Sequence, residues 1–180
     1  MKFDSKTRLN IHQADVPEFN KCKTIYVKSG MGTGKTKSTI QFIKKNFADK
    51  RILFFSFRRT FASELVTKLN ANGSNLGFVS YQNSTGMIDA PRIVVQFESL
   101  HRIDLSNAYD LVVLDESESI IAQTTSGLSK NLRGCLEAFQ KAITDAKHVL
   151  VLDANLSMRS LNIVSKLRTT NDHFLIYNTF

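Results

Sequence analysis

The chain has 180 residues, of which 42% are hydrophobic and 22% are charged. This composition excludes a disordered chain, and the length suits one folded domain, since domains cluster at about 100–150 residues. Its 24 Lys and Arg against 16 Asp and Glu give a net charge of +8. Such an excess favours a polyanionic partner, nucleic acid first, although a basic surface can also serve only to keep a domain in solution.

No apolar run approaches the ~18 residues that a membrane-spanning helix needs, so we expect no membrane association through a span. The first residues contain no apolar stretch of the kind found in signal peptides. The two cysteines, Cys22 and Cys135, lie far apart and do not form a disulfide framework. These features predict an intracellular, reducing location.

Residues 1–20 are polar and weakly patterned, which predicts an irregular lead-in before a single domain over residues 21–180. Short apolar runs then alternate with amphipathic patterns. The apolar runs predict strands at 24–27, 52–55, 78–81, 93–95, 111–114, 149–152 and 174–177. The amphipathic patterns predict helices at 36–46, 60–69, 131–146 and 157–167. Continuously apolar strands that alternate with helices predict an α/β fold, with a mostly parallel sheet flanked by helices.

A glycine-rich segment follows the first predicted strand and opens the first predicted helix. Its sequence SGMGTGKT matches the phosphate-loop consensus G-x-x-x-x-G-K-[ST], except that Ser29 replaces the first glycine. The three remaining glycines still let the backbone curl so that its N–H groups point at phosphate oxygens. We predict a nucleotide-binding loop of Ser29, Gly30, Met31, Gly32, Thr33, Gly34, Lys35 and Thr36.

Two side chains at the end of this loop have predicted roles in binding a nucleoside triphosphate. Lys35 should reach the β- and γ-phosphates, and Thr36 should place its hydroxyl on Mg²⁺. The free backbone N–H groups at the start of the following helix add a positive end beside the phosphates.

The predicted strand 111–114 ends in adjacent carboxylates, Asp115 and Glu116. Ligands bind at this edge of open α/β sheets, so Asp115 is placed to hold Mg²⁺ through water and Glu116 to polarise an attacking water. Phosphotransferases need no water-activating glutamate, whereas ATPases that convert hydrolysis into motion do. We therefore predict an ATP hydrolase with ATP and Mg²⁺ as cofactors and with Lys35, Asp115 and Glu116 as catalytic residues. Glu118 belongs either to this site or to the surface.

Three further predicted strands end in polar segments, which read FRRTFASEL from Phe57, QFESLHRI from Gln96 and LDANLS from Leu152. Together with SGMGTGKT and LDESES, these segments resemble in chain order motifs I, Ia, Ib, II and III of superfamily 2 helicases. Their wording is most similar to the herpesvirus-type replication origin-binding protein helicases of large DNA viruses. The resemblance covers residues 24–178. It implies a RecA-like domain, a role in DNA replication, and a location in the host nucleus or at a viral replication site.

The resemblance also implies roles for individual residues. Arg58 and Arg59 would contact the backbone of single-stranded or duplex DNA, and Ser99 would do the same. Asp153 and Asn155 would couple the nucleotide to the strand, although the sequence differs here from the commoner Ser-Ala-Thr. The strand before Asp153 would lie between those of motifs I and II, near the γ-phosphate. From the residues alone, the arginines can also be surface charge, and Ser99 can also be part of a turn.

Helicases of this superfamily have a second RecA-like domain, which supplies an arginine finger. Only about 27 residues follow Asp153, so we expect that domain to be absent from this chain. We also expect the chain alone to be nearly inactive as an ATP hydrolase. Two other functions remain open from the sequence. One is a nucleic-acid-binding or assembly module with a weak nucleotide site, and the other is a phosphotransferase with a phosphate loop.

Overall fold

A computed structural model of the chain describes residues 23–71, 75–125, 131–169 and 172–178, together with the backbone of residues 5–8. Within these ranges, one sheet is formed by the strands β1 (Ser5–Arg8), β2 (Thr24–Lys28), β3 (Ile52–Phe55), β4 (Val79–Ser80), β5 (Arg92–Val95), β6 (Leu111–Asp115), β7 (His148–Asp153) and β8 (His173–Tyr177). The α-helices are α1 (Lys35–Asn46), α2 (Arg59–Asn70), α3 (Ser117–Gln123), α4 (Leu132–Asp145) and α5 (Met158–Leu167), and short 3₁₀ helices cover Tyr81–Asn83 and Phe97–Arg102.

The sheet has the strand order β1-β8-β2-β7-β6-β3-β5-β4, and all of its named pairs are parallel. Strands β3 and β6 are buried along their whole length, and they are apolar except for Asp115 at the end of β6. Parallel strands of this kind need helices on both faces to exclude water. The predicted fold class, an α/β domain with a mostly parallel sheet, is therefore confirmed.

The order of the central strands determines where the polar residues that follow them meet. Strand β7 lies between β2 and β6, with Lys28 opposite Asp153 and Asp115 opposite Leu152. The carboxyl ends of parallel strands share one edge of the sheet, so the segments after β2, β6 and β7 converge there. This confirms the expectation that the strand before Asp153 lies between the strands of motifs I and II.

Strand β1 falls inside residues 1–20, where the sequence predicted an irregular lead-in. That prediction is wrong for Ser5–Arg8, which pair in parallel with Phe174–Tyr177 of β8. An edge strand needs only one partner and no buried run, so its polar sequence SKTR gave no strand signal. The remainder of the predicted lead-in, together with Cys22, lies outside the described residues.

Three short helices were not predicted, namely α3 and the 3₁₀ helices Tyr81–Asn83 and Phe97–Arg102. Helix α3 has seven residues and starts two positions after β6 ends, so its apolar signal is confined to Ile120 and Ile121. The 3₁₀ helix Phe97–Arg102 buries Phe97 and Leu100, a three-residue spacing that fits three residues per turn. Segments this short cannot show the period of 3.6 residues by which a helix is predicted from sequence.

Two phenylalanines near the carboxyl edge could have offered surfaces for base stacking. Phe55 is instead fully buried and packs edge-to-face on Phe139, with ring centroids 5.6 Å apart. Phe57 is partly buried against the same core. Across the described part of the chain, none of the helices has the length and apolar character needed to cross a membrane.

Candidate active site at the carboxyl edge of the sheet

A cleft of about 560 Å³ opens at the carboxyl edge, where the segments after β2, β6 and β7 converge. It is lined by the loop residues Met31 to Lys37, by Asp115, Glu116 and Ser119, by Asp153, Ala154 and Asn155, and by Arg58 and Phe61. The structure therefore brings together the residues predicted from motifs I, II and III. Of the predicted nucleic-acid contacts, Arg58 also lies in this cleft, whereas Arg59 and Ser99 are not part of its lining.

The loop between β2 and α1 owes its shape to two glycines. Gly32 and Gly34 have φ values of +72° and +80°, a left-handed conformation that side chains rarely adopt, and open space surrounds both. Gly34 directly precedes α1, and no side chain caps the start of that helix. The first N–H groups of α1 are thereby left for a bound anion, the arrangement that phosphate groups prefer.

Lys35 is held at the mouth of this loop. Its Nζ donates hydrogen bonds of 2.7 Å to the carbonyl oxygens of Ser29 and Gly30. Partial burial lowers the pKa of Lys35, while the nearby carboxylates, Asp115 first, oppose that shift. These hydrogen bonds thus orient the ammonium group. A bound phosphate would share its positive charge with the nearby carboxylates.

Thr36 and Asp115 offer oxygen ligands for a cation. The hydroxyl of Thr36 donates a 2.9 Å hydrogen bond to Asp115 Oδ2, and Asp115 is only 3% exposed. Burial, helped by the charge of Glu116, raises the pKa of Asp115, against the effects of the Thr36 hydrogen bond and of Lys35. A hydroxyl and a buried carboxylate are ligands that Mg²⁺ accepts, so these residues fit the expected metal, which would also offset the crowded negative charge.

Glu116 occupies an unusual backbone conformation at the start of α3. Its φ of 59° and ψ of 50° are left-handed, which costs a residue with a side chain about 1–2 kcal/mol. Its N–H donates to Asp115 Oδ1 at 3.1 Å. The residue is exposed and lines the cleft.

Asp153 and Glu118 connect the cleft to two helices. Asp153 Oδ2 accepts the N–H of Glu118 at 2.8 Å, and Asp153 Oδ1 accepts the N–H of Asn155 at 2.8 Å. The carboxylate of Glu118 in turn accepts the N–H and the hydroxyl of Ser157, at 2.8 and 3.0 Å. Glu118, which the sequence left open between site and surface, therefore joins the starts of α3 and α5.

The charge state of Glu118 reflects these contacts. Partial burial disfavours its ionised form, but hydrogen bonding at the start of α5, including that from Ser157, outweighs this effect and lowers the pKa of Glu118. An ionised Glu118 thus holds α5 in place beside the cleft.

The segments that carry Arg59 and Ser99 are tied together by side chains that the sequence analysis did not single out. Gln96 Nε2 donates to the carbonyl of Phe57 at 2.9 Å, and Gln82 Nε2 donates to that of Arg59 at 3.1 Å. Gln96 Oε1 also accepts the Tyr81 hydroxyl at 2.6 Å. Arg59 and Ser99 therefore lie on segments that these side chains link together.

Asn178 was also missed, because it lies outside every motif. Its Nδ2 donates a 3.0 Å hydrogen bond to Ser29 Oγ, across 149 residues of sequence. The replacement of the first consensus glycine by Ser29 was the one hint in the sequence that this loop uses an additional side-chain contact.

Comparisons with known proteins agree with this arrangement of motifs. A family model described as origin of replication binding protein matches residues 9–180. A protein of African swine fever virus (isolate Pig/Kenya/KEN-50/1950), named for a helicase/primase complex, is 31% identical over 176 residues, which are 93% of this chain and 16% of that protein. The replication origin-binding protein of human herpesvirus 6A (strain Uganda-1102) is 34% identical over 155 residues, which are 86% of this chain and 20% of that protein.

The chain thus spans one fifth or less of the length of these relatives. Among solved structures, a DEAD box protein from Methanococcus jannaschii matches with a TM-score of 0.64 and 18% sequence identity. The match covers 89% of this chain and 47% of that one. At this level of identity, the match shows a shared fold.

Proposed function

The chain belongs to the origin of replication binding protein family, and from this premise we propose that it is the ATP-binding motor domain of a viral DNA helicase. In this role it couples ATP hydrolysis to unwinding of DNA or movement along it, together with a second RecA-like domain. The relatives named for origin binding and for a helicase/primase complex support a function in DNA replication.

One observation carries the proposal, the 2.9 Å contact between the Thr36 hydroxyl and Asp115 Oδ2. Motif I supplies the first group and motif II the second, from strands that β7 separates. A loop that binds a nucleoside triphosphate with Mg²⁺ is expected to bring a buried acid to its threonine hydroxyl. The contact supports Thr36 and Asp115 as Mg²⁺ ligands beside Lys35.

Each residue then has a role in the reaction. The N–H groups of the loop and of the start of α1 bind the phosphates, and Lys35 stabilises the charge that develops on them. Thr36 and Asp115 would hold Mg²⁺, which would neutralise part of the phosphate charge. Glu116 orients an attacking water and accepts its proton. Asp153 and Glu118 link this site to α5 through their hydrogen bonds.

A second domain would cover the open side of the cleft. The relatives are at least about four times as long as this chain, which leaves ample room for a domain that closes over the nucleotide and provides an arginine finger. The absence of such a finger typically lowers the rate by ~10³–10⁵-fold. We therefore expect this chain alone to bind nucleotide and to hydrolyse it very slowly.

The nucleic-acid partner would bind beside the cleft, along the linked segments that carry Arg59 and Ser99. The net charge of +8 favours a phosphate backbone. Arg58 lies in the cleft, where it can contact the nucleotide as well as the DNA strand. Its proposed role is therefore wider than the nucleic-acid contact implied by the resemblance.

Calorimetric titration with ADP and with a non-hydrolysable ATP analogue tests the proposal. Lys35→Ala removes a charge-assisted contact, so we expect its Kd to rise about tenfold or more. Lys45→Ala is the matched control, because it removes a lysine from the last turn of the same helix, far from the loop. Equal affinity of the wild type and Lys35→Ala would contradict the phosphate-loop assignment.

A further inference from the structure

Ser29 stands at the position of the first consensus glycine, yet it is only 3% exposed and its polar groups are bonded. Its N–H donates to the carbonyl of Asp153 at 3.1 Å, and its carbonyl accepts from Lys35 Nζ at 2.7 Å. Its hydroxyl lies 2.7 Å from Thr33 Oγ1 and 3.0 Å from Asn178 Nδ2. Ser29 therefore joins the loop to the ends of β7 and β8.

The hydrogen bonds that link Asn178, Ser29, Thr33 and Gly30 all donate in the same direction along the chain of groups. A hydroxyl has one proton, and that of Thr33 is donated to the carbonyl of Gly30 at 2.7 Å. Ser29 must therefore donate to Thr33, and it can only accept from Asn178. The chain runs from the Asn178 amide through Ser29 and Thr33 to the Gly30 carbonyl, and hydrogen bonds aligned in this way strengthen one another.

We propose that Asn178 is a positioning residue for the phosphate loop, acting through the hydroxyls of Ser29 and Thr33. Asn178 is itself fixed, because its backbone N–H donates to the carbonyl of Lys28 at 2.8 Å, just before the loop begins. The inference rests on the proposed nucleotide-binding function, and it adds a residue from the far end of the chain to that site.

The far end of the hydrogen-bond chain explains how Asn178 affects the ligand. The Gly30 carbonyl accepts both Thr33 Oγ1 and Lys35 Nζ, each at 2.7 Å. Fixing this carbonyl therefore fixes the ammonium group that would meet the phosphates. A glycine at position 29 would lack the hydroxyl and would leave the loop to be ordered by the nucleotide, at a cost in affinity. The serine instead orders the loop before binding.

The test is a double-mutant cycle of Asn178→Ala and Ser29→Gly, read as the Kd for ADP with Mg²⁺ by calorimetry. One lost hydrogen bond predicts a rise in Kd of about threefold to tenfold for Asn178→Ala alone. In the Ser29→Gly background, the same substitution should have no further effect, because the hydroxyl that it acts through is gone. An equal rise in both backgrounds would overturn the route through Ser29.

Asn70→Ala is the matched control. Asn70 is also half-buried, and its amide bonds to the backbone of Phe78 at 2.9 and 3.0 Å, far from the cleft. It should lower the unfolding temperature without changing the Kd, whereas Asn178→Ala should change the Kd. If Asn178→Ala behaves like Asn70→Ala, its role is structural only and the proposal is wrong.

Amide hydrogen exchange of residues 30–35 in the nucleotide-free protein keeps this inference separate from the proposed function. Asn178→Ala should speed exchange in the loop, and Ser29→Gly should do so without any further effect of Asn178→Ala. If the variants show this pattern of exchange but the wild type binds no nucleotide, the positioning role stands and the nucleotide-binding function fails. Unchanged exchange in Asn178→Ala would overturn the positioning role by itself.

Discussion

The hydroxyl of Thr36 and the carboxylate of Asp115 are hydrogen-bonded at 2.9 Å although 79 residues separate them in the chain. The parallel sheet produces this contact, because it brings the ends of β2 and β6 to one edge with only β7 between them. Two prospective metal ligands are therefore in place before any metal binds.

Thr36→Val removes the hydroxyl at nearly constant volume. We expect the Kd for ADP to rise about tenfold in the presence of Mg²⁺, equivalent to ~1.4 kcal/mol, and to change little in EDTA. Thr67→Val is a suitable control, since the Thr67 hydroxyl bonds only to the backbone of its own helix in α2. A loss of affinity of the same size in EDTA would show that Thr36 acts on the phosphates or on the fold and not through the metal.

Glu116→Gln should preserve nucleotide binding and abolish hydrolysis, because an amide can orient a water but cannot accept its proton. The measurement requires a longer protein of this family that includes the second domain, assayed for phosphate release with DNA present. Glu137→Gln, in an exposed pair with Arg133 on α4, serves as the control. Wild-type turnover in Glu116→Gln would remove this residue from the role of base.

Arg58 and Arg59 are neighbours with different expected effects. Arg58 lies in the cleft, so Arg58→Ala should weaken nucleotide binding as well as nucleic-acid binding. Arg59→Ala should leave the nucleotide Kd unchanged and flatten the log–log salt dependence of single-strand binding by about 0.7, the value for one phosphate contact. Fluorescence anisotropy across a salt series measures the slope. Identical slopes for the wild type and Arg59→Ala would make Arg59 ordinary surface charge.

The lowered pKa of Glu118 predicts a pH-dependent contribution to stability. A carboxyl group whose pKa is lower in the folded state stabilises the fold when ionised. This contribution is fully present above the unfolded pKa of ~4.3 and is lost as the pH falls through the folded pKa. The unfolding free energies of the wild type and Glu118→Gln, from urea titrations, should therefore differ more at neutral pH than in acid.

Glu64→Gln provides the reference for this comparison, since Glu64 makes only an exposed 3.7 Å pair with Lys68. Its difference from the wild type should be small at every pH. A Glu118→Gln difference that stays constant between neutral and acidic pH would mean that its contacts do not depend on the charge.

The parts of the fold predicted from sequence are those with strong periodic or motif signals. The continuously apolar runs predicted the central strands to within one or two residues, as in β6 and β7. The last helix was predicted to begin at Ser157, and Ser157 caps that helix by accepting the N–H of Arg159. The family comparison also confirms the resemblance read from the motif wording.

What the sequence did not reveal depends on contacts between distant segments. Glu118 lies beside Ser157 only because β6 and β7 are adjacent, and Asn178 meets Ser29 only because β8 pairs with β2. Asn178 belongs to no motif, and motif II contains Glu118 without indicating its partner. The same holds for Gln96, whose amide links two strand ends. Side chains that bridge strands are invisible to motif spacing until the strand order is known.

The left-handed backbone of Glu116 places stability and chemistry in opposition at one position. A glycine there would relieve about 1 kcal/mol of strain, and an asparagine would tolerate the same φ and ψ better than glutamate does. Selection of this domain for heat resistance alone is therefore expected to favour glycine or asparagine at position 116. Such variants would unfold at higher temperatures and keep the phosphate loop, but they would lack the proposed base. High thermostability is therefore a misleading guide to activity in this domain.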